Sequence, residues 1–219
     1  MATWVQLSDP EAIAREAHDR ILAAAAEARD GFSLVLAGGT TPLATYRLLA
    51  ADGTERPDWR LYYGDERCLP PQHPERNSRM VEETGLPALA GGHLPIPAEL
   101  GPETAAARYS GMIAPAMPFD LVLLGMGEDG HTASLFPGHR WPDAPVIPVH
   151  DAPKPPPQRV SLSPASLRAC RRMLVLVSGE SKREAVRAWR AGADLPIARV
   201  ADLEQAVVLV EAGLLEAPP

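Results

Sequence analysis

No apolar run in this 219-residue sequence approaches the ~20 residues that cross a bilayer as a helix, so no membrane-spanning helix is expected. Basic blocks are missing too. The formal net charge is -7, which makes nucleic acid and anionic membrane poor partners. Cysteine is nearly absent: Cys68 and Cys170 form neither a CxxC nor a metal-ligand spacing, and both are expected as reduced thiols. The opening residues, MATWVQLSDPEA, lack a basic segment followed by an apolar stretch. No secretory signal is expected, and the cytoplasm is the expected compartment. Aromatic residues make up only 5%, so alanine and leucine must fill the core. Two catalytic signatures are also missing. There is no G-x-S-x-G elbow for a serine hydrolase and no HExxH helix. His131 and His139 are eight apart with prolines nearby, a poor zinc spacing. Metal-free acid–base chemistry is what remains as the expectation.

What the sequence does hold is a recurring alternation of strand and helix. Apolar runs at Trp4–Leu7, Phe32–Ala37, Trp59–Tyr63, Leu121–Leu124, Val160–Leu162 and Met173–Val177 read as strands. Ile197–Val200 and Ala206–Val210 are expected as the last two. The brief apolar patch at Leu94 and Ile96 reads as at most a short strand within a loop. Helical spacing appears in Ile13, Ala17, Ile21 and Ala24 after a start at Ser8-Asp9-Pro10-Glu11, with Ser8 as the expected cap. Further helices are expected after Pro42, Ser78, Pro102, Ser163 and Ser181. The pattern predicts one domain over 1–219: an α/β fold with a doubly wound, mostly parallel, Rossmann-like sheet and helices on both faces. Such a sheet collects the ends of its strands on one edge, where ligands bind.

Four of those ends carry chemistry. Gly38-Gly39-Thr40-Thr41 lies between a strand and a helix start, where free backbone N–H groups and the helix dipole favour an anion. A plain turn with a threonine cap and Pro42 at the first helical position is the competing reading. Asp65-Glu66-Arg67 puts three charges just past a buried strand. Gly125-Met126-Gly127-Glu128-Asp129-Gly130-His131 breaks a buried strand with three glycines and delivers a histidine beside an acid. Its G-x-G-x-x-G matches a dinucleotide fingerprint, but only six residues separate Gly130 from Pro137, too few for the long helix that fingerprint opens. His131 is therefore a candidate general base. Ser178-Gly179-Glu180-Ser181-Lys182 sets a lysine in the first turn of a helix, against the dipole, a conflict that a bound anion would resolve. The proline-rich stretch 137–157 reads as a stiff wall of the site, carrying Lys154 toward Arg159.

These motifs resemble those of the 6-phosphogluconolactonases. Leu36-Ala37-Gly38-Gly39-Thr40-Thr41-Pro42 is similar to that family's phosphate loop. Asp65-Glu66-Arg67-Cys68-Leu69-Pro70, with His73-Pro74 and Asn77, resembles its DER signature. Gly125 to Pro137 is similar to its central motif, Pro153-Lys154-Pro155-Pro156-Pro157-x-Arg159 to its PKPP segment, and Gly179-x-x-Lys182 to its late lysine. The resemblance implies a fold shared with glucosamine-6-phosphate deaminases and ribose-5-phosphate isomerases. It implies hydrolysis of 6-phosphoglucono-1,5-lactone, a step of the oxidative pentose phosphate pathway, by a monomer without metal or organic cofactor. His131 is expected as base, Arg67 as oxyanion stabiliser and Asp129 as the partner that orients the imidazole, although the two need not touch. Gly38, Gly39, Thr40, Thr41 and Lys182 are expected on the 6-phosphate, with Lys154 or Arg159 adding charge. The deaminases carry GHIAFNEP where this chain has His131-Thr132-Ala133-Ser134-Leu135-Phe136-Pro137, and they lack the PKPP segment. A non-catalytic sugar-phosphate sensor of the same fold is the remaining alternative. The helix-turn-helix that such sensors carry is not expected at either terminus.

Overall fold

The computed structural model describes residues 2–215. Met1 and residues 216–219, the last part of the terminus discussed above, lie outside them. The strands in chain order are β1 (Thr3–Leu7), β2 (Phe32–Leu36), β3 (Arg56–Tyr63), β4 (Asp65–Arg67), β5 (Ala90–His93), β6 (Phe119–Gly125), β7 (Val146–Val149), β8 (Arg159–Leu162), β9 (Cys170–Val177) and β10 (Ala206–Glu211). The helices are α1 (Pro10–Glu27), α2 (Thr40–Ala51), α3 (Asn77–Glu82), α4 (Leu86–Leu89), α5 (Pro102–Ile113), α6 (Pro164–Arg168), α7 (Arg183–Arg190) and α8 (Pro196–Ala201).

Seven strands form a sheet in the order β1-β10-β9-β6-β2-β3-β5, and all its pairings are parallel. Successive residues of β6, Leu121 to Leu124, are buried, as are Leu34 to Leu36 of β2. A strand with consecutive buried residues must be covered on both faces. Three short strands, β4, β8 and β7, form a second, antiparallel sheet. Neither β4 nor β7 is legible in the sequence, because one is a run of three charges and the other lies in the proline-rich stretch.

Local chemistry moves several boundaries. Asp9, not Ser8, caps α1: its carboxylate accepts the Ala12 N–H at 2.7 Å, and the Ser8 hydroxyl donates to the same carboxylate at 2.6 Å. The cause is Pro10, which forces the residue before it into extended backbone and so out of the helix. Ile197–Val200 is not a strand but the body of α8. Ile197, Val200 and Ala201 are buried at helical spacing behind Pro196, and so short an apolar run does not distinguish the two periods. The Ile197 N–H donates to the Gly130 carbonyl at 3.1 Å, tying α8 to the glycine-rich turn. The strand expected near Leu94 and Ile96 runs earlier, over Ala90–His93, at the sheet edge.

The strand order reverses between β2 and β6. After β2 the chain builds outward through β3 and β5; with β6 it returns to the other side of β2 and proceeds through β9 and β10. The crevice outside the carboxyl ends of these two central strands is where such sheets bind ligands. The loops that open there are Ala37–Thr41 and Met126–His131.

Candidate active site

A cavity of about 370 Å3 occupies this crevice. Gly38, Thr41, Arg67, His131, Lys154 and Lys182 are among its lining residues, with Gly39, Thr40 and Arg159. The four strand ends picked out in the sequence thus meet around one space. A wider depression of about 1650 Å3 lies at the opposite edge, where the strands begin. It contains none of these motifs, and its Arg171 and Arg172 pair with Asp120 and Glu27.

The histidine is set by its own turn. The Gly127 N–H donates to the His131 carbonyl at 2.8 Å, and the Gly130 N–H to the Gly127 carbonyl at 3.1 Å. Asp129 Oδ1 accepts the His131 backbone N–H at 3.1 Å and lies 2.5 Å from ring Nδ1. The two residues therefore touch. With a carboxylate as partner, Nδ1 carries the proton of the neutral ring and Nε2 keeps its lone pair. The ring lies against Gly127, where an added Cβ would fall 2.0 Å from His131 Cε1 and Nδ1. It also packs against Phe136, ring centres 4.9 Å apart. Burial alone would raise the Asp129 carboxyl; the His131 N–H and charge outweigh it, and the group sits below the ordinary carboxylate value. Ala133, in the same loop, is held in the left-handed region at φ 48, a strained setting for a residue with a Cβ.

The candidate anion cradle is the start of α2. Its cap is Gly39, which brings no side chain, and Pro42 is the third helical residue, not the first as a capped turn would have it. Thr40 and Thr41 therefore contribute the N–H groups of the first turn. Thr41 Oγ1 lies 2.7 Å from Ser178 Oγ, joining this loop to the turn that carries Lys182. That turn is a 3-10 segment over Glu180–Lys182, and Lys182 is the cap of α7 rather than a residue of its first turn.

The cations are held differently from one another. Lys154 Nζ pairs with Glu128 Oε1, and Lys182 Nζ with Glu128 Oε2 at 3.5 Å. Arg159 is buried; it donates to the Pro156 and Lys154 carbonyls at 3.1 and 2.8 Å, so it shapes the PKPP segment as well as lining the cavity. Only Lys154 and Pro155 of the 137–157 stretch line the cavity. Arg67 Nη1 donates to the Glu75 carbonyl at 2.5 Å, while its buried Nε has no partner.

Behind these groups runs a buried network that the sequence does not announce. Asp65 accepts from Ser134 Oγ at 2.6 Å and from Asn77 Nδ2 at 3.0 Å. Asn77 in turn fills the space a side chain on Gly38 would need, its Oδ1 2.2 Å from that Cβ position. Glu66, fully buried, accepts the N–H groups of Arg67, Asn77 and Ser78 and faces Arg76 at 3.4 Å. One three-residue strand thus joins the phosphate-loop corner to the histidine loop. The signal was the run of charges past β3, whose direction inward could not be read. Among the described residues no cluster of three or more His, Cys, Asp and Glu could hold a metal. Cys68 is pushed up to about 11 by burial and by Glu66, so its thiol stays protonated.

The family described as glucosamine-6-phosphate isomerases/6-phosphogluconolactonase matches residues 8–209. The chain is 36% identical to the 6-phosphogluconolactonase of Streptomyces coelicolor over 84% of its own length and 81% of that protein's. It is 35% identical to the human 6-phosphogluconolactonase over 78% and 73%. The crystal structure of the Thermotoga maritima 6-phosphogluconolactonase superposes with a TM-score of 0.86 at 28% identity, covering 96% of this chain and 100% of that one. A monomeric glucosamine-6-phosphate deaminase shares the fold, with a TM-score of 0.82 at 21% identity over 97% and 98%.

Proposed function

The chain belongs to the glucosamine-6-phosphate isomerase/6-phosphogluconolactonase family, and from that membership and its site we propose that it hydrolyses 6-phospho-D-glucono-1,5-lactone to 6-phospho-D-gluconate. The observation that carries the reading is the His131–Asp129 contact in the same cavity as the start of α2. Asp129 fixes the tautomer, and Nε2 of His131 takes a proton from water as its oxygen attacks the lactone carbonyl carbon. Arg67 faces the oxyanion that forms there. When the tetrahedral centre collapses, the bond from C1 to the ring oxygen breaks. That oxygen leaves as a hydroxyl, taking its proton from the imidazolium. The N–H groups of Thr40 and Thr41, with Lys182 and Lys154, bind the 6-phosphate, and Gly38 and Gly39 let the backbone approach it; Arg159 holds Lys154 in reach. No step calls for a metal or an organic cofactor.

The same reading takes 1–219 as one domain acting as a monomer in the cytoplasm. No described helix is long and apolar enough to cross a membrane. The experiment is a lactonase assay fed by glucose-6-phosphate dehydrogenase, run beside a deaminase assay on glucosamine 6-phosphate. Lactone turnover without deamination is the expected result. Deamination alone, or binding of sugar phosphates with neither turnover, would overturn it in favour of a deaminase or a sensor.

A further inference from the structure

Glu128 belongs to the central motif, yet the chemistry above gives it nothing to do. It lies at the cavity wall between the two lysines, one carboxylate oxygen toward each. Those lysines come from distant segments, the PKPP loop and the turn before α7. We propose that Glu128 is a built-in stand-in for the substrate's phosphate: it holds Lys154 and Lys182 and must give them up when a phosphate dianion arrives. This rests on the assignment of that cavity to a sugar phosphate.

The argument is one of charge and reach. Two ammonium groups facing one small cavity repel each other, and a single carboxylate between them removes that cost. Lys154 foremost, then the Glu128 backbone N–H and least of all Lys182 hold Glu128 as an anion, down to about 2, so it is charged wherever the phosphate is. A carboxylate left between the lysines would repel a dianion at the same place. The Glu128 backbone N–H also reaches this carboxylate, but the side chain is 45% exposed, in a surface turn, so it can swing into water at little cost. Displacement also favours dianions. A phosphate dianion outbids one carboxylate for two lysines, whereas chloride and acetate do not.

The consequence is that Glu128 weakens phosphate binding. The Glu128→Gln side chain keeps the size and loses the charge. Its inorganic phosphate dissociation constant, read by calorimetry, is expected to fall about 3- to 10-fold, the scale of a partly exposed ion pair. The lactone KM is expected to move in the same direction, more than kcat. Acetate, without effect on the parent protein, is expected to inhibit the variant. Glu128→Asp, which keeps the charge, is expected to stay near the parent. A weaker or unchanged phosphate affinity in Glu128→Gln overturns the proposal, because Glu128 would then be a support for the lysines or a bystander. Calorimetry with phosphate needs no turnover. A protein inactive on the lactone but with tightened phosphate binding in the variant would therefore refute the activity and leave this proposal standing.

Discussion

Gly127 carries the His131 ring on its bare α-carbon, and this explains why a glycine stands there without any need for left-handed backbone. Gly127→Ala should displace the imidazole by about an ångström. A misplacement of that size costs roughly 10²-fold in kcat, and crowding this buried position costs about 1–3 kcal/mol of stability. Steady-state kinetics beside urea unfolding separates the two; an unaltered kcat would mean that the ring is not held there. At this scale much was legible. A histidine after a glycine break and two threonines at a helix start are local patterns that chemistry can read; Lys182, expected in the first turn of α7, is its cap instead. The Asp129 contact was not, because it depends on how the turn closes on itself. The Glu128 bridge was not either, because it joins residues 26 and 54 positions apart.

The elements tell a similar story with different causes. The long apolar strands announced themselves, since a fully buried strand needs an unbroken apolar run. The short ones did not. β4 hides in Asp65-Glu66-Arg67 because its side chains are satisfied by partners far away in sequence, and α8 passed for a strand because four residues fit either period. The charged strand is also where the site is most exposed to disruption. Asp65→Ala would leave Ser134 Oγ without its buried acceptor, while Asn77 Nδ2 keeps the backbone carbonyl of residue 65 at 3.0 Å. At about 1–3 kcal/mol for an unsatisfied buried group, a loss of roughly 1–3 kcal/mol is expected from the urea midpoint. Activity should fall with it, since both the Gly38 corner and the histidine loop lean on this residue. A midpoint unmoved by the substitution would remove Asp65 from the framework.

For the whole molecule, the reversal of strand order between β2 and β6 decides where everything else goes. It opens the crevice, and every motif at a strand end falls on its rim. That much follows from alternating strands and helices, but the order itself depends on pairings no local pattern encodes. The fold also sets the pH range of stability. Glu128, held by Lys154, Asp9, held by Ser8 and the Ala12 N–H, and Asp129 all sit below their ordinary values. Their contribution is present above the unfolded carboxylate range and is lost as pH falls through the folded values. Tyr46 and Tyr109 are raised by burial, so their contribution is complete below the unfolded phenol value and lost as pH rises past it. Urea midpoints should therefore be flat from about pH 5 to 9 and decline below about 4 and above about 10. A maximum near the isoelectric point of 5.4 with decline by pH 8 would contradict this.

The account stands or falls on whether the imidazole at the rim does the chemistry, and the turnover number of His131→Ala on 6-phosphoglucono-1,5-lactone reads that directly. A loss of roughly 10²–10⁴-fold, the scale of a missing general base, is the predicted result. Turnover within a few-fold of the parent would contradict it.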